Sequence, residues 1–431
     1  MQNSQAKKSI IRWWILLLLC FMYLITFMDR VNISVVAPAV SKEFNFDKIT
    51  MGFIFGAFSL AFALGQIPGG WMGDRFGPRK VLTTIVVYWS LMTIATAQAF
   101  SYLSFLVIRF FFGLGEAGAF PTATRAMQFW YPKSERGFIQ GITHSFSRFG
   151  AAVVPPIAVS IMALWGWRAV FYVFGGAGVL WAICFYFVYR NRPEDHAGVN
   201  EAELAYIREA AEQGGRLQAH SVTDRPAVPW KTIFSTPNMW YICASYFCWN
   251  YNIFFFMTWL PSYLVEYRHF SLATMGFLAS LPLLAGMIGD TVGGMLTDLV
   301  LKKTKKLKLA RRIIAAPSML LSAIFMVPAA VTSDPYMAVY CLAGSMFFLE
   351  CVIAVAWAIP MDVGGQYTGT VSGVMTMAGN LAGVVSPIAF GFLVQGGSWI
   401  APFYLQALML TIGAFIWAFL LNPEKSVVGK S

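Results

Sequence analysis

The chain has 431 residues, 58% of them hydrophobic and only 12% charged, with a mean hydropathy of +0.62, which is too apolar for a water-soluble fold of that length. Its formal net charge of +11 raises nucleic acid as a partner, so the placement of the charges has to be settled before their number is interpreted. Six cysteines (Cys20, Cys184, Cys243, Cys248, Cys341, Cys351) and four scattered histidines (His144, His196, His220, His269) form no metal-ligand spacing, which argues against a zinc site or a disulfide framework.

Apolar segments long enough to cross a bilayer as helices occur at 13–38, 51–72, 80–99, 103–128, 138–161 and 167–189. A second six follow at 238–264, 275–299, 312–332, 336–359, 369–395 and 400–421. The first segment is too long for a signal-peptide core and has no small-residue cleavage site after it, so it is expected to be retained as a span. The expected fold is an all-α membrane protein of twelve helices in two six-helix bundles, at 1–189 and 238–431, joined by a linker at 190–237. The linker sequence "EDHAGVNEAELAYIREAAEQGG" predicts a short surface helix ended by Gly214 and Gly215, then a stretch containing Pro226 and Pro229.

With the N-terminus on the cytoplasmic side, only Lys42, Lys48, Arg168 and Arg268 of the 31 basic residues fall outside the cell, and Arg30, Arg109, Arg125 and Arg148 fall within spans. The others collect in cytoplasmic segments, the positive-inside pattern, and an even number of spans returns the C-terminus to the same side. The expected location is the inner (plasma) membrane, multi-pass, with both termini cytoplasmic. The basic balance thus reports topology and not nucleic acid, and "LKKTKKLKLARR" (301–312) is expected to anchor at anionic headgroups of the lipid bilayer.

The second span of each half ends in a related stretch: "GWMGDRFGPRK" (70–80) and "GMLTDLVLKK" (294–303) share Gly-x-x-x-Asp followed by basic residues, 224 positions apart. This is an internal repeat, a common way of building transporters with the substrate at the interface of the repeats. Gly70 and Gly73 are expected to let a neighbouring helix approach closely, and Asp74 to meet that helix's positive N-terminal end. Gly70, Asp74, Arg75, Gly77 and Arg79, with Asp298 in the second copy, are therefore expected to serve gating and conformational change.

Ionisable residues inside a membrane are costly and default to function. The first half holds Asp29, Arg30, Arg109, Glu116, Arg125 and Arg148 within its spans, four bases to two acids, whereas the second holds only Asp290 and Glu350. That balance suits an anion, because guanidinium grips carboxylate or sulfonate through two parallel charge-assisted hydrogen bonds. Arg109 and Glu116 are seven residues apart, two helical turns, and so face the same way. Burial raises a carboxyl group's proton affinity and a nearby arginine lowers it, so substrate that occupies the arginine changes protonation. Substrate is expected to bind at Arg30, Arg109 and Arg148, with Trp357 as an apolar wall and Asn380 as a hydrogen-bonding amide. Asp29 and Glu116 are expected to carry protons, with Glu116 contesting Arg109. For Asp290 and Glu350, protonated packing groups and an auxiliary proton path are both open.

"GWMGDRFGPRK" resembles the loop signature of the major facilitator superfamily. "FMDRVNIS" (27–34), "RFFFGLGEAGAFP" (109–121) leading to "WYPKSERG" (130–137), and "TWLPSYL" (258–264) narrow the resemblance to its anion:cation symporter family. The resemblance implies a secondary transporter of organic anions such as sugar acids, phthalate and tartrate, commonly with protons, and similar roles for Asp29, Arg30, Arg109 and Glu116. Where sugar-acid members tend to have a neutral glutamine this chain has Arg148, a third cationic group that favours a dianion such as a dicarboxylate or sulfocarboxylate. The expected partners are a small organic anion, protons and lipid; the chain is expected to be a monomer without a cofactor. The alternatives are an anion exchanger or uniporter, or a sensor of the same ligand class. A membrane enzyme is disfavoured, since no nucleophile with its base or metal cluster is legible. Without a Gly-x-x-x-x-Gly-Lys-Ser/Thr stretch, an ion gradient is the expected energy source.

Overall fold

A computed structural model describes residues 9–131, 135–213 and 230–428. The described residues form twelve spanning helices. They are α1 (Ile11–Phe44), α2 (Lys48–Phe76), α3 (Pro78–Ala97), α4 (Tyr102–Trp130), α5 (Arg136–Trp165) and α6 (Trp167–Val188). After the linker come α7 (Pro237–Thr258), α8 (Leu272–Thr304), α9 (Leu307–Val331), α10 (Pro335–Val363), α11 (Thr368–Gln395) and α12 (Ala401–Leu420). Length and apolarity alone pick out eleven of these; α7, carrying Asn250 and Asn252, is the least apolar. It continues past Trp259 through Leu260–Ser262 into a π-helical turn, Tyr263–Tyr267. Asn250 and Asn252 do not open it, since each donates to the carbonyl one turn back, at Tyr246 and Cys248.

Local chemistry sets the turns. Asn45 ends α1 in the left-handed conformation, and Asp47 caps α2 by accepting from the Thr50 N–H. Gly77 (φ +81°) lets the chain double back before Pro78 opens α3, with the Asn191 side chain packed against the place a Cβ would occupy. Of the predicted linker, the surface helix is present as Glu201–Gln213, while Gly214, Gly215, Pro226 and Pro229 lie outside the described residues.

The packing repeats between the halves. In the first, α1 packs on α5, α2 on α4 and α3 on α6; in the second, α7 packs on α11, α8 on α10 and α9 on α12. The repeat reaches single residues. A Cβ on Gly65 or Gly69 of α2 would meet Ala117 Cβ at 2.8 Å or Gly118 Cα at 2.4 Å in α4. At the same offset of 224, a Cβ on Gly289 or Gly293 of α8 would meet the Phe347 or Cys351 carbonyl oxygen of α10 at 2.1 Å. Gly73 is equally tight, its Cβ position 2.6 Å from Thr122 Oγ1, but Gly70 makes only ordinary contact with Pro121 at 3.5 Å. The close approach expected of Gly70 and Gly73 thus belongs to Gly65, Gly69 and Gly73, one helical face. We expect Gly69→Ala to destabilise the protein by about 1–3 kcal/mol, because backbone has to move to admit the methyl. Thermal unfolding in detergent should separate it from Gly70→Ala, which should be neutral or slightly stabilising.

The α4 and α10 helices are both broken where these glycines press. The first segment of α4 ends at Glu116 and that of α10 at Glu350. Each of these glutamates is fully buried within its span.

The halves meet along α2 with α11 and along α5 with α8, symmetric counterparts of each other, with α1 also against α7. The contacts lie toward the face opposite the termini. Gly52 and Gly391 bring backbone onto backbone, their Cβ positions 2.7 Å from the Pro387 oxygen and 2.4 Å from the Lys48 oxygen. The Lys48 N–H donates to Gln395 at 3.1 Å, the Lys48 ammonium pairs with Glu266, Ser280 donates to the Ala152 carbonyl at 2.5 Å, and Phe55 packs edge-on to Trp259. That face is closed.

Candidate functional site

The ionisable residues of α1 and α4 converge between the halves. Arg30 Nε donates to Glu116 Oε1 at 2.5 Å, and the guanidinium lies among the rings of Phe27, Phe58, Phe62 and Phe120, 4.5–5.4 Å from their centroids. Arg109, 3% exposed, has no carboxylate partner among the described residues and rests between Phe58 and Phe112. Glu116 thus pairs with Arg30 and not with Arg109, the partner expected from the sequence. Seven residues of helix separate Arg109 from Glu116 by about 10 Å along the axis, too far for contact, while α1 brings Arg30 alongside.

Arg30 and Arg109 line one small cavity between the halves, together with Ser59, Thr258, Phe254 and Met257. At about 20 Å³ it has room for about one water-sized molecule. Arg30 Nη2, Arg109 Nε and the Ser59 hydroxyl have no hydrogen-bond partner among the described residues. Buried guanidinium N–H groups left without acceptors are costly, and they define what completes the site: an anion with several acceptor oxygens.

Asp29 is wholly buried behind Arg30, and neither carboxylate oxygen has a hydrogen-bond partner. Its electrostatic neighbours are Glu116, Arg109, and Trp89 and Thr93 of α3. Asp29 and Glu116 thus stand as two wholly buried carboxyl groups beside two arginines.

Arg148 lies elsewhere than beside these arginines. Its Nη1 is 2.9 Å from Oε1 of Glu350 in the opposite half, which supplies the partner that Glu350 lacks in its own. Asn380, half-buried on α11, sits beside Gly379, whose Cβ position touches Asn250 and Tyr246. Trp357, 43% exposed, meets the edge of Tyr246. His144 packs on Phe120 and Tyr23 as an aromatic, one turn from Arg148.

Of the residues expected to gate, Arg79 donates to the Tyr186 carbonyl at 2.8–2.9 Å and so ties the α2–α3 turn to α6. Arg75 stacks on Trp71 and Phe76, and Asp298 is exposed. Asp74 belongs to the last turns of α2; its side chain lies outside what the structure describes. In the second half the sequence reading missed a tighter device: Arg311 pairs with Asp362 at 3.0 Å and donates to Thr297, the residue beside Asp298.

Comparison with known proteins agrees with this architecture. The family model of the Major Facilitator Superfamily matches residues 19–387. Among curated relatives, a probable sulfoacetate transporter of Cupriavidus necator is 42% identical over 417 residues, covering 96% of this chain and 95% of the relative. A probable galactarate/D-glucarate transporter of Bacillus subtilis is 32% identical over 440 residues, covering 99% and 95%. Among solved structures, a bacterial homologue of the human lysosomal transporter Spinster, in an inward-facing and occupied conformation, superposes with a TM-score of 0.79 at 18% identity over 95% of this chain and 97% of that one. A D-xylose-proton symporter gives 0.75 at 14% identity, covering 96% and 98%. The chain therefore belongs to the major facilitator superfamily, within its anion:cation symporter family.

Proposed function

We propose that this protein carries a short organic anion, a sulfocarboxylate or dicarboxylate, across the inner membrane together with protons by alternating access. The observation that carries the reading is the pair of arginines, Arg30 and Arg109, whose unsatisfied donors face one inter-half cavity next to the unpartnered carboxyl group of Asp29. The two curated relatives described above are named for anions of this class, the more similar of them for a sulfocarboxylate. With cytoplasmic termini, closure of the far face is the state that releases substrate inward.

The cycle follows from charge. In the unloaded site Glu116 neutralises Arg30, so the halves can close over a desolvated cavity. Protons reaching Asp29 and Glu116 from the open face free Arg30, and the anion takes its donors together with those of Arg109. The loaded, proton-neutralised site can then close and reopen on the other side. Gly70, Asp74, Arg75, Gly77, Arg79 and Asp298 serve that rearrangement at the termini face, and Trp357 and Asn380 contact the organic body of the substrate.

The test is uptake of labelled mono- and dianions into proteoliposomes, with and without an inwardly directed proton gradient. Accumulation above equilibrium with the gradient, and equilibration without it, is the expected result for a short dianion. Equal uptake under both conditions would replace symport by uniport, and uptake only against preloaded anion would replace it by exchange.

A further inference from the structure

The break in α10 that mirrors the break in α4 places Glu350 where Glu116 stands in the first half, and each glutamate holds an arginine from another helix. The two pairs differ in what they join. Arg30–Glu116 joins α1 to α4 within a half, while Arg148–Glu350 joins α5 to α10 across the halves. Glu350 is wholly buried, and its approach to Arg148 is an ion pair by proximity only, since neither carboxylate oxygen is in hydrogen-bond geometry. A buried charge pair held without hydrogen bonds is poorly compensated for desolvation and is a weak lock.

The surroundings are those of a subsite. Tyr246 of α7 is an electrostatic neighbour of both Arg148 and Glu350 and touches Trp357, and Asp290 of α8 faces the pair. Along α11, Gly379 contacts Tyr246, and Gly383, one turn further, contacts Ser59 and Phe254 of the cavity that Arg30 and Arg109 line. Four residues of helix rise about 6 Å. The Arg148 cluster is thus displaced by roughly a turn from the Arg30–Arg109 cavity, a separation suited to a short anion with a charge at each end.

We propose that Arg148 and Glu350 form a second, displaceable anion subsite that makes the carrier selective for two-headed anions. This rests on the anion-transport reading above. The substrate's second anionic group takes Arg148 from Glu350, and the freed Glu350 carboxylate accepts a proton from the water of the open face. A single-headed anion leaves Arg148 on Glu350. Besides Arg148, the charged or titratable groups facing Glu350 among the described residues are Asp290 and Cys351, with Tyr246 nearby; none of these is cationic, so none compensates a deprotonated Glu350 once Arg148 leaves.

The experiment compares sulfoacetate with acetate in proteoliposomes containing wild type, Arg148→Gln, Glu350→Gln and the exchanged pair Arg148→Glu/Glu350→Arg. Arg148→Gln should lower the sulfoacetate-to-acetate ratio of kcat/KM at least about tenfold. Glu350→Gln should keep sulfoacetate-induced thermal stabilisation in detergent but lose one proton per substrate in the pH dependence of uptake. The exchanged pair should remain stable yet fail to restore the dianion preference. Restored preference in the exchanged pair, or an unchanged ratio in Arg148→Gln, would reduce the pair to a structural tie and overturn the proposal. If wild type moves no anion, the transport reading itself fails, so the two failures are distinct. A variant that does not fold is recognised by its unfolding curve, and ligand-induced stabilisation of Glu350→Gln then decides.

Discussion

Glu116→Gln is expected to abolish proton-driven accumulation while leaving counterflow exchange of substrate intact. In the wild type the Glu116 carboxylate holds Arg30 at 2.5 Å inside a fully buried site, so an unprotonated Glu116 and an anionic substrate compete for one guanidinium. Raising the pH at the open face favours the carboxylate and weakens substrate binding; lowering it releases Arg30 and strengthens binding. Glutamine removes the competitor permanently, so the variant should bind substrate at least as tightly as the wild type at low pH and show an affinity flat with pH. Without the Glu116 proton, the competition at Arg30 that ties substrate binding to protonation is gone, so the gradient no longer does work on the substrate. Counterflow and gradient-driven uptake in the same vesicles check this. Loss of both would give Glu116 a structural duty beyond coupling, and retained accumulation would move the coupling to Asp29.

The largest loss is expected from Arg109. Among the described residues it has no carboxylate of its own and is held over Phe58 and Phe112, which desolvate it and fix its plane without neutralising it. Breaking a buried, hydrogen-bonded charge contact costs about 2–5 kcal/mol, which is roughly 30- to several-thousand-fold in affinity. Arg109→Gln should therefore show no measurable uptake. Arg109→Lys keeps the charge but not the two-pronged donor, and should lose most of the kcat/KM. Radiolabel uptake with binding measured by thermal shift separates lost affinity from lost turnover. A lysine variant close to wild type would mean that Arg109 acts as a point charge and does not grip two oxygens.

Much of this was legible in the sequence because membranes impose strong rules: spans must be long and apolar, and charges inside them stand out. Asp29, Arg30, Arg109 and Glu116 were found that way. What the sequence could not give was which charge meets which. Helical spacing put Arg109 and Glu116 on one face, but a shared face two turns apart is not contact, and the true partner of Glu116 comes from α1. Likewise Glu350 had no basic residue in its half and looked unpaired, since nothing in periodicity says that α5 and α10 meet across the interface. The signal that would have found it is the repeat carried further than the Gly-x-x-x-Asp stretch, since the helix breaks at Glu116 and Glu350 are its counterparts. The close-packing glycines were displaced for a related reason. Gly70 was conspicuous within the motif, whereas Gly65 and Gly69 lie upstream of it and are marked only by the neighbour they touch.

The closure at Gly52 and Gly391 consists of main chain resting on main chain, and main chain is common to every sequence. Such a gate is indifferent to cargo. On the proposed function recognition falls to a few side chains deeper between the halves, so exchanging one of them, as at position 148, would alter what is carried while the moving parts stay as they were. A scaffold divided in this way can diversify its diet without relearning its stroke.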